Sequence, residues 1–238
     1  NFEWDAMFDE LTALEEETGH VLPNSPTQTV GYESESGKKE QHEFPALSLA
    51  KTKKVEEMVK WAENFPIWLS WKLDGCTLVL TYDNGKLTKI LTRGSGNMGT
   101  NITHLKSAIK GFPLEIPYQG HMVVRGEAVI SYSDFATIND MVEDEDEKYA
   151  NPRNLASGTL NLDDIEEVKR RRVHFYAFTL VYIDDEIISW GERMDYLEQM
   201  KFTVVDRESG NGLSLPDMIE KWTKRVESGK MDLPVDGL

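Results

Sequence analysis

The sequence predicts an α+β domain with a mainly antiparallel sheet and flanking helices. Three observations carry this expectation. From Ile67 onward the chain breaks into short runs rich in Leu, Ile, Val, Thr and Trp. Two of these runs are joined by Asp83-Asn84-Gly85-Lys86, whose Asn-Gly pair suits the positive-φ turn of a hairpin. Helical-period segments interrupt the strands without a regular βαβ rhythm, which argues against a parallel doubly wound sheet.

Taken in order, Phe2, Met7, Phe8, Leu11 and Leu14 fall near helical spacing and predict an amphipathic helix ended by Gly19. Residues 31–43 (GYESESGKKEQHE) carry no apolar period and read as an exposed, mobile connector. A second helix is expected over about 53–64, with Val55, Met58, Val59 and Ala62 on one face. The strand expectations are IWLSWKL, TLVLTY, LTKILTR, HMVVRGEAVISY and the buried run HFYAFTLVY at 174–182. A helix capped by Ser133 should follow the fourth of these, and 151–161 reads as a polar loop. Helices near 190–200 and 214–227 flank a short strand at 202–206. Trp61, Trp68 and Trp71 are expected in the core.

The 238 residues carry 26 basic and 42 acidic side chains, a formal charge of −16. So acidic a surface disfavours gripping DNA or an anionic membrane through bulk charge alone. The single cysteine, Cys76, leaves no intramolecular disulfide and no cysteine-built zinc site, and the five histidines show no metal-ligand spacing. No apolar run approaches the ~18 residues of a membrane span. With no signal peptide at its start, the chain reads as a soluble, cytoplasmic domain. Because it begins at Asn1, it also reads as a piece of something longer.

Four segments could carry chemistry. In Lys72-Leu73-Asp74-Gly75, strand alternation puts the lysine and the carboxylate on one face, and Gly75 lets the backbone turn close to a ligand. A lysine desolvated beside a carboxylate can act as a nucleophile. A surface ion pair is the plainer reading, and K-x-D-G arises by chance in about one chain in twenty of this length. Arg93-Gly94-Ser95-Gly96 could approach phosphate or ribose closely, or be a simple loop. It is not the G-x-G-x-x-G of a dinucleotide fold. Val124-Arg125-Gly126-Glu127 puts two charges inside an apolar strand, which is costly unless they face a polar cleft or pair with one another. Asn151-Pro152-Arg153-Asn154 gathers polar donors at a fixed turn. The acidic run 143–147 reads as a solvated face, and Lys169 to Arg172 as too short for a nucleic-acid patch.

The order of these segments is more telling than any one alone. KLDG (72–75), TRGSGNMG (92–99), VRGE (124–127), NPRNLASGTLN (151–161), HFYAF (174–178) and PVDGL (234–238) together resemble the NAD+-dependent bacterial DNA ligases. SPTQTVG (25–31) and FPALSLAKT (44–52) resemble segments just upstream of that family's core, so the similarity covers nearly the whole chain. The resemblance implies a nucleotidyltransferase (adenylation) fold. Residues 1–43 would be the tail of a helical subdomain plus a connector, and 44–238 the adenylation domain, ending within the fourth motif.

It also implies roles. Lys72 would attack the adenylyl phosphorus of NAD+, releasing nicotinamide mononucleotide and leaving lysyl-AMP. Asp74 and Glu127 would serve the ribose and Mg2+. Leu73, Ser48, Leu49, Arg93, Arg153, Asp236 and Asp5 would contact the cofactor, and Phe178 would stack on adenine. The whole protein would act as a monomer on nicked double-stranded DNA in replication and repair. Where the family pattern has a glutamate two residues before the lysine, this chain has Ser70. Three acidic loop positions are Ser95, Thr100 and Asn101, and an arginine position is Asn161. These departures keep open a degenerate domain that binds adenine nucleotide without transferring it. K-x-D-G is also shared with ATP-dependent ligases and RNA-capping enzymes, although NPRN and SPTQ speak against those.

Overall fold

A computed structural model describes residues 2–20, 25, 27, 37–47, 50–142, 148–187 and 189–238. Helix α1 (Phe2–Thr18) is followed by strand β1 (Lys39–Gln41), helix α2 (Val55–Ala62) and strands β2 (Ile67–Ser70), β3 (Lys72–Leu73), β4 (Cys76–Asp83), β5 (Lys86–Thr92) and β6 (Met98–Thr100). Then come β7 (Met122–Val129), α3 (Tyr132–Asp140), α4 (Pro152–Leu160), α5 (Ile165–Arg170) and β8 (His174–Ile183). The chain closes with α6 (Trp190–Gln199), β9 (Arg207–Gly210), α7 (Leu215–Glu227) and β10 (Val235–Gly237).

The architecture is α+β, as the sequence predicts. Four antiparallel strands in the order β5-β4-β7-β8 form the central sheet. The β4–β5 turn places Asn84 at φ 50° and Gly85 at φ 76°, the left-handed pair that an Asn-Gly turn accommodates. Three two-stranded pairs, β1-β6, β2-β9 and β3-β10, surround the sheet.

Strand alternation gives the sheet two unlike faces. Leu78, Leu80, Tyr82, Val124, Ala128, Phe175, Ala177 and Leu180 enter the main core. There they meet Leu155, Ala156 and Leu160 of α4, Val168 of α5 and Met194 and Leu197 of α6. Each Val, Leu, Phe or Met among them removed from water contributes roughly 1.5–3 kcal/mol before chain entropy is charged against it. On the opposite face, Val79, Leu91 and Val123 pack with Ala46 and Phe44 at one end of the sheet. Val129 joins Leu69, Trp71, Leu73, Val205, Leu215, Met218 and Trp222 at the other. Between these clusters, β7 presents Arg125 and Glu127.

Several local expectations differ from the structure. Residues 151–161 form helix α4: Pro152 occupies its first turn and the Asn151 side chain accepts from Asn154 N–H, so the polar residues act as a cap. The cap of α3 is Ser131, which accepts from Asp134 N–H; Ser133 instead donates its hydroxyl to Asp232. The late strand is at 207–210, while 203–205 reaches β8 only through a single bridge at Val204. Within the expected connector, β1 pairs with β6, while 31–36 lie outside the described residues. Trp71 is buried, but Trp61 (79%) and Trp68 (40%) are exposed. Helix α1 ends before Gly19 as expected, yet Met7 and Leu14 face solvent. The acidic run 143–147 lies outside the described residues.

Candidate active site

Lys72 projects from β3, which is held by β10 in a short antiparallel pair. That pairing sets Lys72 beside Asp236, and the Lys72 ammonium contacts the Asp236 carboxylate. Asp74 follows at the strand end, where its N–H donates to Pro234 O at 2.9 Å. Its carboxylate accepts from Arg153 Nη1 at 2.7 Å, so the start of α4 closes one side of the cleft. The Lys72 ammonium is held below the ordinary lysine range. Burial is the largest cause, opposed by Asp74, reinforced by Arg153, opposed by Glu127, and reinforced again by Lys51.

Glu127 lies across from Thr77 in the β4–β7 ladder and accepts its hydroxyl at 2.9 Å. Burial pushes the Glu127 carboxyl up to about 7, against the Thr77 hydrogen bond, Arg153, the Gly75 N–H and Lys72. Gly75 is required for a reason other than ligand approach. A Cβ there would meet Ala128 O at 2.2 Å, so the KLDG turn is pressed against β7. Burial likewise raises the neighbouring Cys76 thiol to about 11, leaving it an unreactive neutral group.

The structure therefore brings together Lys72, Asp74, Glu127, Arg153 and Asp236. Leu73 is buried in the cluster below them. Phe178 is half-buried against that same cluster. The β7–β8 register passes from Arg125↔Thr179 to Gly126↔Ala177, leaving Phe178 as an extra, unopposed residue. Such a bulge re-aims a side chain. Arg93 Nε donates to Ala46 O at 2.9 Å, a main-chain contact that its motif does not announce. Ser48, Leu49 and the side chain of Asp5 lie outside what the structure describes.

Thr77 and Lys51 carried no signal in the sequence, since each acquires its place only through register or a returning segment. The positions that depart from the family pattern have local partners. Ser95 Oγ accepts from Met98 N–H at 3.2 Å, Asn101 Nδ2 donates to Glu40 at 2.7 Å, and Ser70 lies opposite Arg207.

The comparisons with known proteins bear on the chain as a whole. The chain is 44% identical over 241 residues to a DNA ligase of Lachnoclostridium phytofermentans, covering 100% of this chain and 37% of that one. It is 42% identical over 241 residues to a DNA ligase of Ruminiclostridium cellulolyticum, covering 100% and 36%. It is 34% identical over 245 residues to one of Leptospira biflexa, covering 99% and 36%. The chain thus spans a little over a third of the length of these relatives. Among solved structures, a mycobacterial DNA ligase D complexed with ATP and MES aligns at 19% identity and TM-score 0.37. It covers 66% of this chain and 44% of that one, a likeness too loose to carry an argument.

The relatives define the class, a ligase-type nucleotidyltransferase domain. The family pattern described as NAD-dependent DNA ligase adenylation domain matches residues 38–238, and the chain belongs to that family.

Proposed function

We propose that this domain transfers AMP from NAD+ to Lys72 as the first step of nick sealing by a longer protein. The observation that supports this reading is the Lys72–Asp236 contact, set within a ring completed by Asp74, Arg153 and Glu127. An ammonium cannot attack phosphorus, so one proton must first leave Nζ, and Asp236 is the carboxylate positioned to take it. The Nζ lone pair then forms an N–P bond with the adenylyl phosphorus. The P–O bond to nicotinamide mononucleotide breaks, its electron pair leaves with the departing phosphate, and one of the two protons on the now cationic nitrogen passes to that phosphate or to water, leaving the N–H of a phosphoramidate. Arg153, fixed by Asp74, stabilises negative charge on the phosphate oxygens. Phe178 supplies an aromatic face for the base, and Arg93 closes the cleft on the sugar side.

Among the described residues, no group of three or more His, Cys, Asp or Glu could hold a metal by itself. The hard oxygen donors of Asp74 and Glu127 nevertheless fit Mg2+, which commonly takes one or two carboxylates together with substrate phosphate oxygens. When bound there, the ion would neutralise phosphate charge. No helix among the described residues is long and apolar enough to cross a membrane. A cytoplasmic monomer acting on nicked DNA through its further domains is the setting we infer.

Intact-mass measurement after incubation with NAD+ and Mg2+, on this chain and on Lys72→Ala, tests the reading. A gain of one AMP that the variant lacks is expected. A full-length parent that never gains AMP would instead favour the nucleotide-binding, non-transferring alternative.

A further inference from the structure

At the end of β7 and the start of β8 lies a cavity of about 150 Å3, bordered by Lys110, Ser131, Asp134, Arg172, His174 and Tyr176. None of Lys72, Asp74, Glu127, Arg153 or Asp236 belongs to its lining. It is smaller than the roughly 300–1,000 Å3 that encloses a drug-sized ligand, so it suits a single small group. The sheet fixes its lysine. Lys110 N–H donates to Val173 O at 3.1 Å and Phe175 N–H donates to Lys110 O at 2.8 Å, which sets Lys110 beside His174. A Cβ on Gly111 would strike Phe175 O, so this backbone is pressed against β8.

Arg172 enters the lining from a left-handed backbone, φ 55°, that residues with a Cβ rarely adopt. Its Nη1 donates to Asp134 at 2.7 Å, yet 62% of the arginine side chain stays open, and ion pairs so exposed stabilise little. The pair does not account for the strain, and strained backbone gathers at binding sites. Asp134 is the one carboxylate in the lining, and it engages one edge of the guanidinium. Among the described residues, neither the Lys110 ammonium nor the Tyr176 hydroxyl has a hydrogen-bond or ion-pair partner. The His174 ring is already engaged, with Nε2 3.1 Å from the Thr203 hydroxyl. Donors from three segments thus border one small cavity that holds one carboxylate.

The geometry points to an anion site for a phosphate group: a dianionic phosphate, free or as the head of a phosphomonoester, held by Lys110, the open edge of Arg172 and the Tyr176 hydroxyl. A tetrahedral anion accepts hydrogen bonds from several directions at once, and charge-assisted ones are the strong kind. A carboxylate offers two oxygens in one plane and matches three separate donors less well. The formal charge of −16 repels anions at large, so binding here comes from these local donors. In the basic run 169–172, Lys169 pairs with Glu166, and Arg170 and Arg171 pair with Glu167, leaving Arg172 to the cavity. One arginine and one lysine suit a single phosphate and not a polyanion. Asp134 shares Arg172 with the ligand and opposes it by charge.

The test titrates inorganic phosphate into the isotope-labelled 238-residue chain at about pH 8, where the dianion prevails, at constant ionic strength. Saturable amide shifts at Lys110, Arg172 and Tyr176 are expected. Lys110→Gln and Arg172→Gln should each weaken binding about fivefold, Tyr176→Phe should weaken it about threefold, and Asp134→Asn should tighten it about threefold. Lys106→Gln, an equal charge change on an exposed lysine outside the lining, should change nothing. Thermal melts check folding, and Tyr176→Phe, which removes one hydroxyl, keeps the test decisive should a charge variant unfold. Dimethyl phosphate, a diester like the nucleic-acid backbone, and acetate should each bind at least about tenfold more weakly. Glycerol 3-phosphate sorts the source: tighter binding than phosphate assigns a phosphomonoester, and equal or weaker binding assigns the free anion. Shifts that fail to saturate or scatter over the surface, or a Lys106→Gln loss equal to that of Lys110→Gln, would overturn the proposal. So would a diester or acetate that binds as well as phosphate.

Discussion

The Thr77 hydroxyl donates to Glu127 at 2.9 Å across the β4–β7 pair, so an ordinary cross-strand neighbour solvates the carboxylate that the strand would otherwise strand without water. The compensation is incomplete, because burial still raises the Glu127 carboxyl from 4.5 to about 7. The folded chain therefore holds this proton more tightly than the unfolded chain. Its contribution is fully present below pH 4.5 and is lost as pH rises through about 7. Glu127→Gln should match the wild type in stability near pH 4.5 and exceed it at pH 8. The ceiling is about 3 kcal/mol, and part of the side chain remains open to the cleft. Urea titrations at both pH values measure this; a gain that is the same at each would mean that ionisation is not its source.

Lys72 keeps 59% of its side-chain surface open, and its partner Asp236 keeps 52%. Removing such an exposed pair costs little packing. Lys72→Ala should abolish AMP transfer while changing unfolding free energy by no more than about 0.5 kcal/mol. Intact mass and a thermal melt on one sample check both halves. Retained AMP on the variant would assign the nucleophile elsewhere.

Gly126 sits within the charged VRGE segment, where a small residue suggests close approach by a ligand. The structure points it the other way. A Cβ there would meet Phe175 Cζ at 2.3 Å and Tyr176 O at 2.4 Å. Strand alternation turns Gly126 into the core while Arg125 and Glu127 point to the opposite face of the sheet. Gly126→Ala should therefore act as an overpacking change, costing about 1–3 kcal/mol of stability. AMP binding by the folded fraction should survive. A variant of wild-type stability that has lost AMP binding would restore the ligand-approach reading.

These residues show what a single sequence reveals. Asn84-Gly85 announced its hairpin because positive φ at both positions is a local demand met by few residue types. Lys72 and Asp74 were legible because strand period and charge lie within four residues. Asn151 and Pro152 carry a helix-start signal that also fits a loop, since polar residues serve both purposes. Trp61 and Trp68 mislead because exposure depends on which element packs above them. Thr77 and Arg125 owe their contacts to cross-strand register and to residues distant in sequence, which no local pattern encodes.

His121 offers the last test, where the segment 42–46 meets the end of β4. Its ring contacts Asp83 through Nδ1 at 2.7 Å and Glu43 through Nε2 at 2.9 Å, so it ties that segment to the end of β4. Burial alone would lower its proton affinity, but the two carboxylates outweigh it and the net direction is upward from 6.5. A raised histidine stabilises the fold fully below its unfolded value, and that contribution is lost as pH rises through the folded one. The segment should thus be held by His121 together with the Arg125 and Arg93 hydrogen bonds to the Phe44, Pro45 and Ala46 carbonyls in mild acid, and chiefly by those arginines in alkali. The His121 ring resonances should titrate above 6.5 in the wild type. In Glu43→Gln the midpoint should fall, and the His42 amide protection factor, taken relative to the intrinsic exchange rate at each pH, should vary less with pH. A midpoint at or below 6.5 in the wild type would show that desolvation dominates and that His121 is a neutral link.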